Sequence, residues 1–214
     1  MKRYQTIAEL PVNLPVFPLA GALLLPRTEL PLNIFEPRYL AMFEHAMETD
    51  RLIGMIQPRE SASDVPDLQK IGCVGRVTSY TETEDNRLMV VLTGICRFQN
   101  TRERKTKTPF RQLEVDYNDF AADLVIDNAA RNVDRAGVVA AFRNFLDANQ
   151  MAANWEEVEK VSTETLVNNL SQMAPYPIEE KQALLEAPDL KSRAEMLIAL
   201  TELALSKNTT NSLQ

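Results

Sequence analysis

The sequence is poor in the residues on which most catalytic and metal sites depend. It has one histidine, His45, and two cysteines, Cys73 and Cys96, in 214 residues. A Ser-His-Asp or Cys-His triad could use only His45, and no Gly-x-Ser-x-Gly turn accompanies it. Neither a C-x-x-C nor an H-x-x-x-H pair is present to start a zinc site. The sequence therefore predicts no catalytic residue and no metal site, although a Ser-Lys or carboxylate pair assembled across the fold stays open.

Nucleotide-binding and targeting motifs are also missing. No G-x-x-x-x-G-K-[ST] loop occurs, so no ATP site and no other cofactor is predicted. No stretch reaches the roughly 18 apolar residues of a membrane helix, and the first residues, MKRYQTIAELPVN, contain no apolar core of a signal peptide. We therefore expect a cytoplasmic protein with no membrane partner, whose two cysteines are reduced and buried.

Positive charge is scarce in the second half of the chain. Residues 1–118 hold 15 Lys and Arg against 15 Asp and Glu, whereas residues 119–214 hold 8 against 15. The whole net charge of −7 thus belongs to the second half, which disfavours nucleic acid as its partner. The basic stretch RERKTK (Arg102 to Lys107) is a local exception, and we interpret it as a solvated strand end or loop.

Two different periodicities divide the sequence near residue 118. The first part has short apolar runs separated by proline and glycine, as expected of strands, and one amphipathic helix that begins at Pro37. The second part has apolar residues at helical spacing, with Ser162 and Asp189 as predicted N-caps. We predict an α+β fold with a β-rich unit over residues 1–118, a helical bundle over 119–206 and a disordered polar tail over 207–214.

One hairpin can be predicted in detail. A two-residue turn at Asp85-Asn86 would pair Gly75 with Cys96, Val77 with Gly94 and Ser79 with Leu92. Alternation then makes one face the core and the other a partly solvated face. The predicted core face is Cys73, Val77, Val90, Leu92, Cys96 and Phe98, and the other face is Arg76, Tyr80, Met89, Thr93 and Arg97. Truncation of Arg97 should then cost less than about 1 kcal/mol.

Several segments together resemble the N-terminal substrate-binding domain of Lon protease. They are FPL near residue 17, LPLNIFEPRY at 30–39, GICRF at 94–98 and EKQALLE at 180–186. The resemblance runs from about residue 10 to residue 205, and it is to the stand-alone form without the ATPase and peptidase parts. It implies a PUA-like β pseudobarrel with an inserted helix, followed by a C-terminal helical bundle.

The same resemblance implies a non-catalytic module that binds unfolded or extended protein segments, with a separate protease or chaperone as a further partner. We predict a peptide-binding surface within residues 10–35, at Phe17, Leu19, Leu23, Leu25 and Phe35. Because the helical half is acidic, clients with Lys or Arg beside apolar residues should be favoured. An RNA-binding PUA-like module is the alternative, and a hydrolase is a third hypothesis.

The segment NIFEPRY is interpreted as a structural signature. Pro37 fixes φ at the helix start, and Glu36 can accept hydrogen bonds from the first amides of the helix. Tyr39 and Leu40 should anchor the helix against the strands, and Arg38 should pair with Glu36 or with a carboxylate on a neighbouring strand.

Overall fold

The computed structural model describes residues 3–59, 65–84, 87–125 and 132–211. Over these ranges the chain has an α+β fold that divides into two compact units, Met1–Ile126 and Asp127–Gln214. The described part of the first unit contains strands, one α-helix and the 3-10 segments Ile7–Glu9 and Asn118–Leu124, and that of the second unit contains helices. Across these ranges, every helix falls short of the length or apolar character that a membrane crossing requires.

Six strands in the described part of the first unit form one mixed sheet. In chain order they are β1 (Asn13–Pro18), β2 (Glu29–Ile34), β3 (Leu52–Ile56), β4 (Ile71–Glu82), β5 (Leu88–Glu103) and β6 (Gln112–Asp116), with helix α1 (Pro37–Glu48) between β2 and β3. β1 runs parallel to β3 and antiparallel to β6, and β6 also pairs with the end of β5. Together with the antiparallel pairs β3–β4 and β4–β5, these contacts close β1, β3, β4, β5 and β6 into a ring. β2 pairs with the first part of β5.

Apolar side chains from all five strands of the ring form the core of the first unit. The predicted core face of the β4–β5 hairpin is buried at all six positions, which confirms that part of the prediction. Leu14, Val16, Leu113 and Val115 from β1 and β6 belong to the same cluster as Phe98. The core is therefore built by residues far apart in sequence.

The predicted pairing of β4 with β5 is wrong. Gly75 lies opposite Gly94 rather than Cys96, Val77 opposite Leu92, and Ser79 opposite Val91. Two irregularities in the pairing, at Val74/Gly75 and Val77/Ser79, change the register along the ladder. The shift at Gly75 and Val77 is an even number of residues, so side chains there keep their predicted faces. The predicted turn residues, Asp85 and Asn86, lie outside the described residues.

Arg97 does not lie on a solvated face as predicted. Its side chain is buried, and its guanidinium forms a bidentate ion pair with Asp123, with both N–O distances at 2.9 Å. The backbone amide of Arg97 donates to the same carboxylate, and the guanidinium lies 4.6 Å from the ring centre of Phe120. Both partners belong to the 3-10 segment Asn118–Leu124, which covers this part of β5. The first unit therefore extends past residue 118, where the change of periodicity placed the boundary.

The second unit contains five helices in its described part. They are α2 (Arg135–Ala148), α3 (Trp155–Lys160), α4 (Thr163–Met173), α5 (Ile178–Glu186) and α6 (Leu190–Asn211). The predicted cap of α4 is confirmed, because the Ser162 hydroxyl accepts a hydrogen bond from the amide of Thr165 at 3.1 Å. Asp189 likewise accepts from the amide of Ser192 at 2.8 Å, at the start of α6. The short, charged helix α3 was not predicted, and α6 continues beyond residue 206, where the polar tail was expected to begin.

A buried arginine links three helices of this unit. Arg193 on α6 donates through Nε to the carbonyl oxygen of Leu184 on α5, at 2.9 Å. Its Nη1 donates to Oδ1 of Asn168 on α4, also at 2.9 Å, and all three residues are buried. The carbonyl acceptor lies within the EKQALLE stretch, so this motif forms part of the packing of the helical unit.

Candidate peptide-binding cleft

The start of α1 follows the predicted signature in part. Pro37 is the first helical residue and Glu36 is the N-cap, as predicted. The prediction that the Glu36 side chain caps the helix is wrong, because its carboxylate accepts no hydrogen bond from the α1 amides. Instead it pairs with Arg38, whose Nε and Nη2 lie 2.9 and 2.8 Å from Oε2. A glutamate pairing with a neighbouring arginine thus replaces the usual cap.

Tyr39 anchors α1 to β1, as predicted. Its ring packs on Phe17 with 4.2 Å between the ring centres, and its hydroxyl lies 3.5 Å from the carbonyl oxygen of Pro18. Burial raises the pKa of the Tyr39 phenol, while the nearby positive charges of Arg38 and Arg111 oppose that shift. The guanidinium of Arg38 lies 4.5 Å from the centre of the Tyr39 ring. Tyr39 therefore has the Arg38 guanidinium against its ring, and the charges of both Arg38 and Arg111 act on its phenol.

A cleft of about 210 Å³ opens beside these residues, entirely within the first unit. Four prolines line it together with two aromatic residues, two arginines and a valine, namely Pro18, Pro58, Pro66, Pro109, Tyr39, Phe110, Arg38, Arg111 and Val65. The aromatic rings of Tyr39 and Phe110 are buried, whereas Val65 is exposed at the rim. The cleft thus combines proline and aromatic rings with two cationic groups in one lining.

Arg111 holds one wall of this cleft in place. Its Nε donates to Oε1 of Glu103 at 2.7 Å, and its Nη1 donates to the carbonyl oxygen of Pro66 at 2.8 Å. The second contact joins the segment before β4 to the segment before β6. One arginine side chain therefore fixes the spacing of two proline-bearing walls.

A second cavity, of about 540 Å³, adjoins the first through Pro109, Phe110 and Arg111. Its remaining lining comes from the β5–β6 connection and includes Arg104 and Lys105 of the RERKTK stretch. Arg102 and Lys107 of the same stretch do not line this second cavity. The cleft and its neighbour thus present more positive than negative side chains, with Glu103 as the acidic lining residue of the second cavity.

The five residues predicted to contact a peptide do not share one surface. Phe17, Leu23 and Leu25 are buried, so in this fold they contact the protein's own core. Leu19 is half-buried, and Phe35 is 58% exposed, with the guanidinium of Arg87 at 5.6 Å from its ring centre. An apolar run in sequence supplies core and surface alternately, and composition alone does not distinguish the two.

Most of the cleft carries no local sequence signal. Of its lining, only Arg38 and Tyr39 belong to the predicted signature. Its prolines come from the end of β1, from the β3–β4 connection, which supplies two, and from the β5–β6 connection, and Phe110 and Arg111 follow the basic stretch. The 12 prolines of the whole sequence could have suggested a rigid surface, but not which prolines meet.

His45 takes part in packing. Its ring lies 5.3 Å from the ring of Phe110, centre to centre, so it contacts one of the residues that line the cleft. Throughout the described ranges, no group of three or more His, Cys, Asp or Glu side chains lies where it could hold a metal ion.

The family model of the ATP-dependent protease La (LON) substrate-binding domain matches residues 13–202. The chain belongs to this family. Among curated Lon sequences, Lon protease 2 of Myxococcus xanthus is 26% identical over 197 residues, which cover 90% of this chain and 24% of the relative. Lon protease of Anaeromyxobacter dehalogenans is 25% identical over 199 residues, with 90% and 23% covered. The chain thus spans about a quarter of the length of the curated relatives it matches.

Solved structures of Lon N-terminal domains share the fold. A Lon N-terminal domain protein from Xanthomonas campestris aligns with a TM-score of 0.62 at 21% identity, covering 87% of this chain and 97% of that one. The N-terminal domain of a Mycobacterium avium complex Lon protease gives 0.63 at 16% identity, covering 89% and 98%. The α+β architecture, a mixed sheet followed by helices, is therefore that of Lon N-terminal domains.

Proposed function

We propose that this chain is a non-catalytic recognition module that binds unfolded or extended protein segments. Membership of the Lon substrate-binding family over residues 13–202 is the observation that carries the proposal. The activity of the whole Lon relatives is not transferred, because the matched region is their substrate-binding part. A separate protease or chaperone in the cytoplasm is the partner that would receive the bound segment.

The first unit supplies a surface suited to this role. Prolines preform the cleft beside Tyr39, so ligand binding loses little conformational entropy in ordering its walls. The buried Phe17 packs against Tyr39 and supports its position in the cleft. We identify the closed ring of strands with the PUA-like pseudobarrel, α1 with its inserted helix, and α2 to α6 with the helical bundle that the resemblance implies.

Binding to a permanently unfolded protein tests the proposal. The test client is an unrelated protein that is kept unfolded by reduction and alkylation and carries a fluorescent label. Fluorescence anisotropy should show that this client binds saturably to the chain, and that the same client in its native fold does not bind. Equal binding of the two forms would show that the chain does not recognise the unfolded state, and binding of neither would overturn the proposed function. A peptidase assay on the same mixture should show no cleavage, and cleavage would contradict the non-catalytic role.

RNA binding is the second candidate, and the basic second cavity is the observation that favours it. Arg104 and Lys105 line that cavity beside Arg111. A nucleic-acid site would lose affinity steeply as salt is raised, because phosphate contacts release counterions. Apolar peptide binding would change much less. Salt titrations with single-stranded RNA and with the unfolded protein therefore separate the two functions.

A further inference from the structure

We infer that the cleft beside Tyr39 binds an extended peptide segment in which a large apolar side chain, aromatic for preference, stands next to a carboxylate. This inference rests on the proposed function and specifies which segments are chosen. It also differs from the expectation drawn from the acidic half of the sequence, which favoured Lys or Arg beside the apolar residue.

The size of the cleft fits one side chain. At about 210 Å³ it is smaller than the roughly 300–1,000 Å³ of sites that enclose a whole small molecule. It is open at a rim where Val65 is exposed, so a side chain can enter while its backbone stays outside. A single aromatic residue of an extended chain has the size and shape for such a cleft.

The walls favour an apolar group and offer few backbone donors for strand addition. Pro18, Pro58, Pro66 and Pro109 have no backbone N–H to pair with an incoming strand. Their rings and the buried rings of Tyr39 and Phe110 present apolar surface whose geometry is already fixed. Affinity at this site therefore comes from apolar and ring contacts, which aromatic side chains supply with little loss of conformational freedom.

The charges select the neighbouring residue of the ligand. Arg38 and Arg111 both line the cleft, and both influence the phenol of Tyr39. Arg38 is available to a ligand because its partner, Glu36, is itself exposed, and surface ion pairs of this kind contribute only about 0–1 kcal/mol. A carboxylate beside the inserted ring can therefore share or replace the Glu36 contact, with Arg104 and Lys105 adding positive potential from the second cavity.

Matched peptides provide the test with the full chain. The set consists of labelled, unstructured peptides of one length that carry Glu-Phe-Glu, Lys-Phe-Lys or Glu-Ala-Glu at the centre, with amidated ends. We expect the Glu-Phe-Glu peptide to bind about tenfold more tightly than either of the others. A further peptide that ends in Phe, with and without C-terminal amidation, shows whether the carboxylate of a chain terminus serves as well as a side-chain carboxylate.

Charge reversal locates the site. Arg38→Glu should weaken the Glu-Phe-Glu peptide about tenfold and improve the Lys-Phe-Lys peptide. Arg102→Glu is the matched control, since Arg102 is an exposed arginine of the same unit that pairs with Glu114 and does not line the cleft. The control variant should bind like the wild type, and circular dichroism with thermal unfolding should show that both variants are folded.

Three results would overturn the inference. They are equal binding of the Glu- and Lys-flanked peptides, equal loss in the Arg38 and Arg102 variants, and stronger competition by RNA than by acidic peptide. If the unfolded protein binds but the Arg38 variant binds it as well as the wild type, the proposed function survives and this site does not. If no unfolded protein binds at all, the proposed function itself fails.

Discussion

Arg97 and Asp123 form an ion pair that the protein encloses almost completely, since Arg97 is 4% and Asp123 is 9% exposed. Arg97→Ala should cost about 3–5 kcal/mol of unfolding free energy, because it leaves the Asp123 carboxylate buried without its counter-ion. Phe98→Ala, which empties a fully buried ring position beside it, should cost a similar amount. Urea unfolding followed by circular dichroism measures both losses.

The double variant Arg97→Met/Asp123→Leu is the control for this prediction. It removes both charges and fills the space with apolar atoms, so it should recover most of the stability that Arg97→Ala loses. A loss below about 1 kcal/mol for Arg97→Ala would instead support the solvated face that simple alternation predicts.

Single residues were predictable where the physical cause is local. The proline at the start of α1 and the Ser162 cap depend on residues within one helical turn, and both are as predicted. The hydrogen bonding of the Glu36 side chain was not predicted correctly, because Arg38 binds its carboxylate in place of the helix amides. The burial of Arg97 depends on a segment more than twenty residues away, so no window of sequence around it contains the information.

At the scale of elements, Gly94 decides how the turn before β2 packs on β5. A Cβ atom at this position would lie 2.0 Å from the carbonyl oxygen of Leu25, and backbone cannot yield as a side chain can. The amide of Gly94 donates to the carbonyl oxygen of Thr28, and the amide of Arg27 donates to that of Gly94, both at 2.9 Å. The glycine of the GICRF motif is therefore explained by the close approach of two backbones.

Gly94→Ala should lower the unfolding free energy by more than about 2 kcal/mol, since the turn must move away from β5 and lose these hydrogen bonds. Gly21→Ala is the matched control. Gly21 has a positive φ of 74° but no atom within 4 Å of the added Cβ, so its cost is limited to backbone strain of about 1–2 kcal/mol. Thermal unfolding of the two variants makes the comparison, and an equal loss would show that close packing at Gly94 is not the cause.

The strands of the first unit were predictable as short apolar runs separated by proline and glycine, but the pairing of β4 with β5 was not. A turn position fixes register only while both strands stay regular, and β4–β5 contains two irregularities. The cleft was not predicted, for a related reason. Its prolines come from the end of β1 and from two connections, β3–β4 and β5–β6, and only the closed ring of strands brings these segments together.

At the scale of the whole molecule, the reactivity of the Cys73 and Cys96 thiols measures how far the first unit unfolds. Burial raises the pKa of Cys96 to about 12 and holds that of Cys73 well above its ordinary value. Both should resist iodoacetamide at pH 8.5 in the native state and react completely in urea, since the thiolate is the reactive form. Mass spectrometry of pulse-alkylated samples should show the two labels appearing together.

The same shifts set a pH dependence. Above a pH of about 9 the thiols ionise in the unfolded chain but stay protonated in the folded one, so the folded state binds more protons and its stability falls as pH rises. Urea unfolding at pH 7.5 and pH 10 should therefore show the lower stability at pH 10, with a smaller difference in a Cys96→Ala variant. A fast-labelled Cys73 or Cys96 in native conditions would contradict the buried placement of both.

The ring of strands also has a consequence for synthesis. Its closing pair joins Asn13 on β1 to Glu114 on β6, so the second strand of that pair leaves the ribosome about a hundred residues after the first. Until then β1 has no antiparallel neighbour at that edge, and the apolar side chains of the core stay exposed on the nascent chain. The first unit is therefore expected to fold late and in one step, slowly for its size because its contacts are so distant in sequence. The proposed binder of unfolded chains would therefore itself be an unfolded chain for the first seconds of its synthesis.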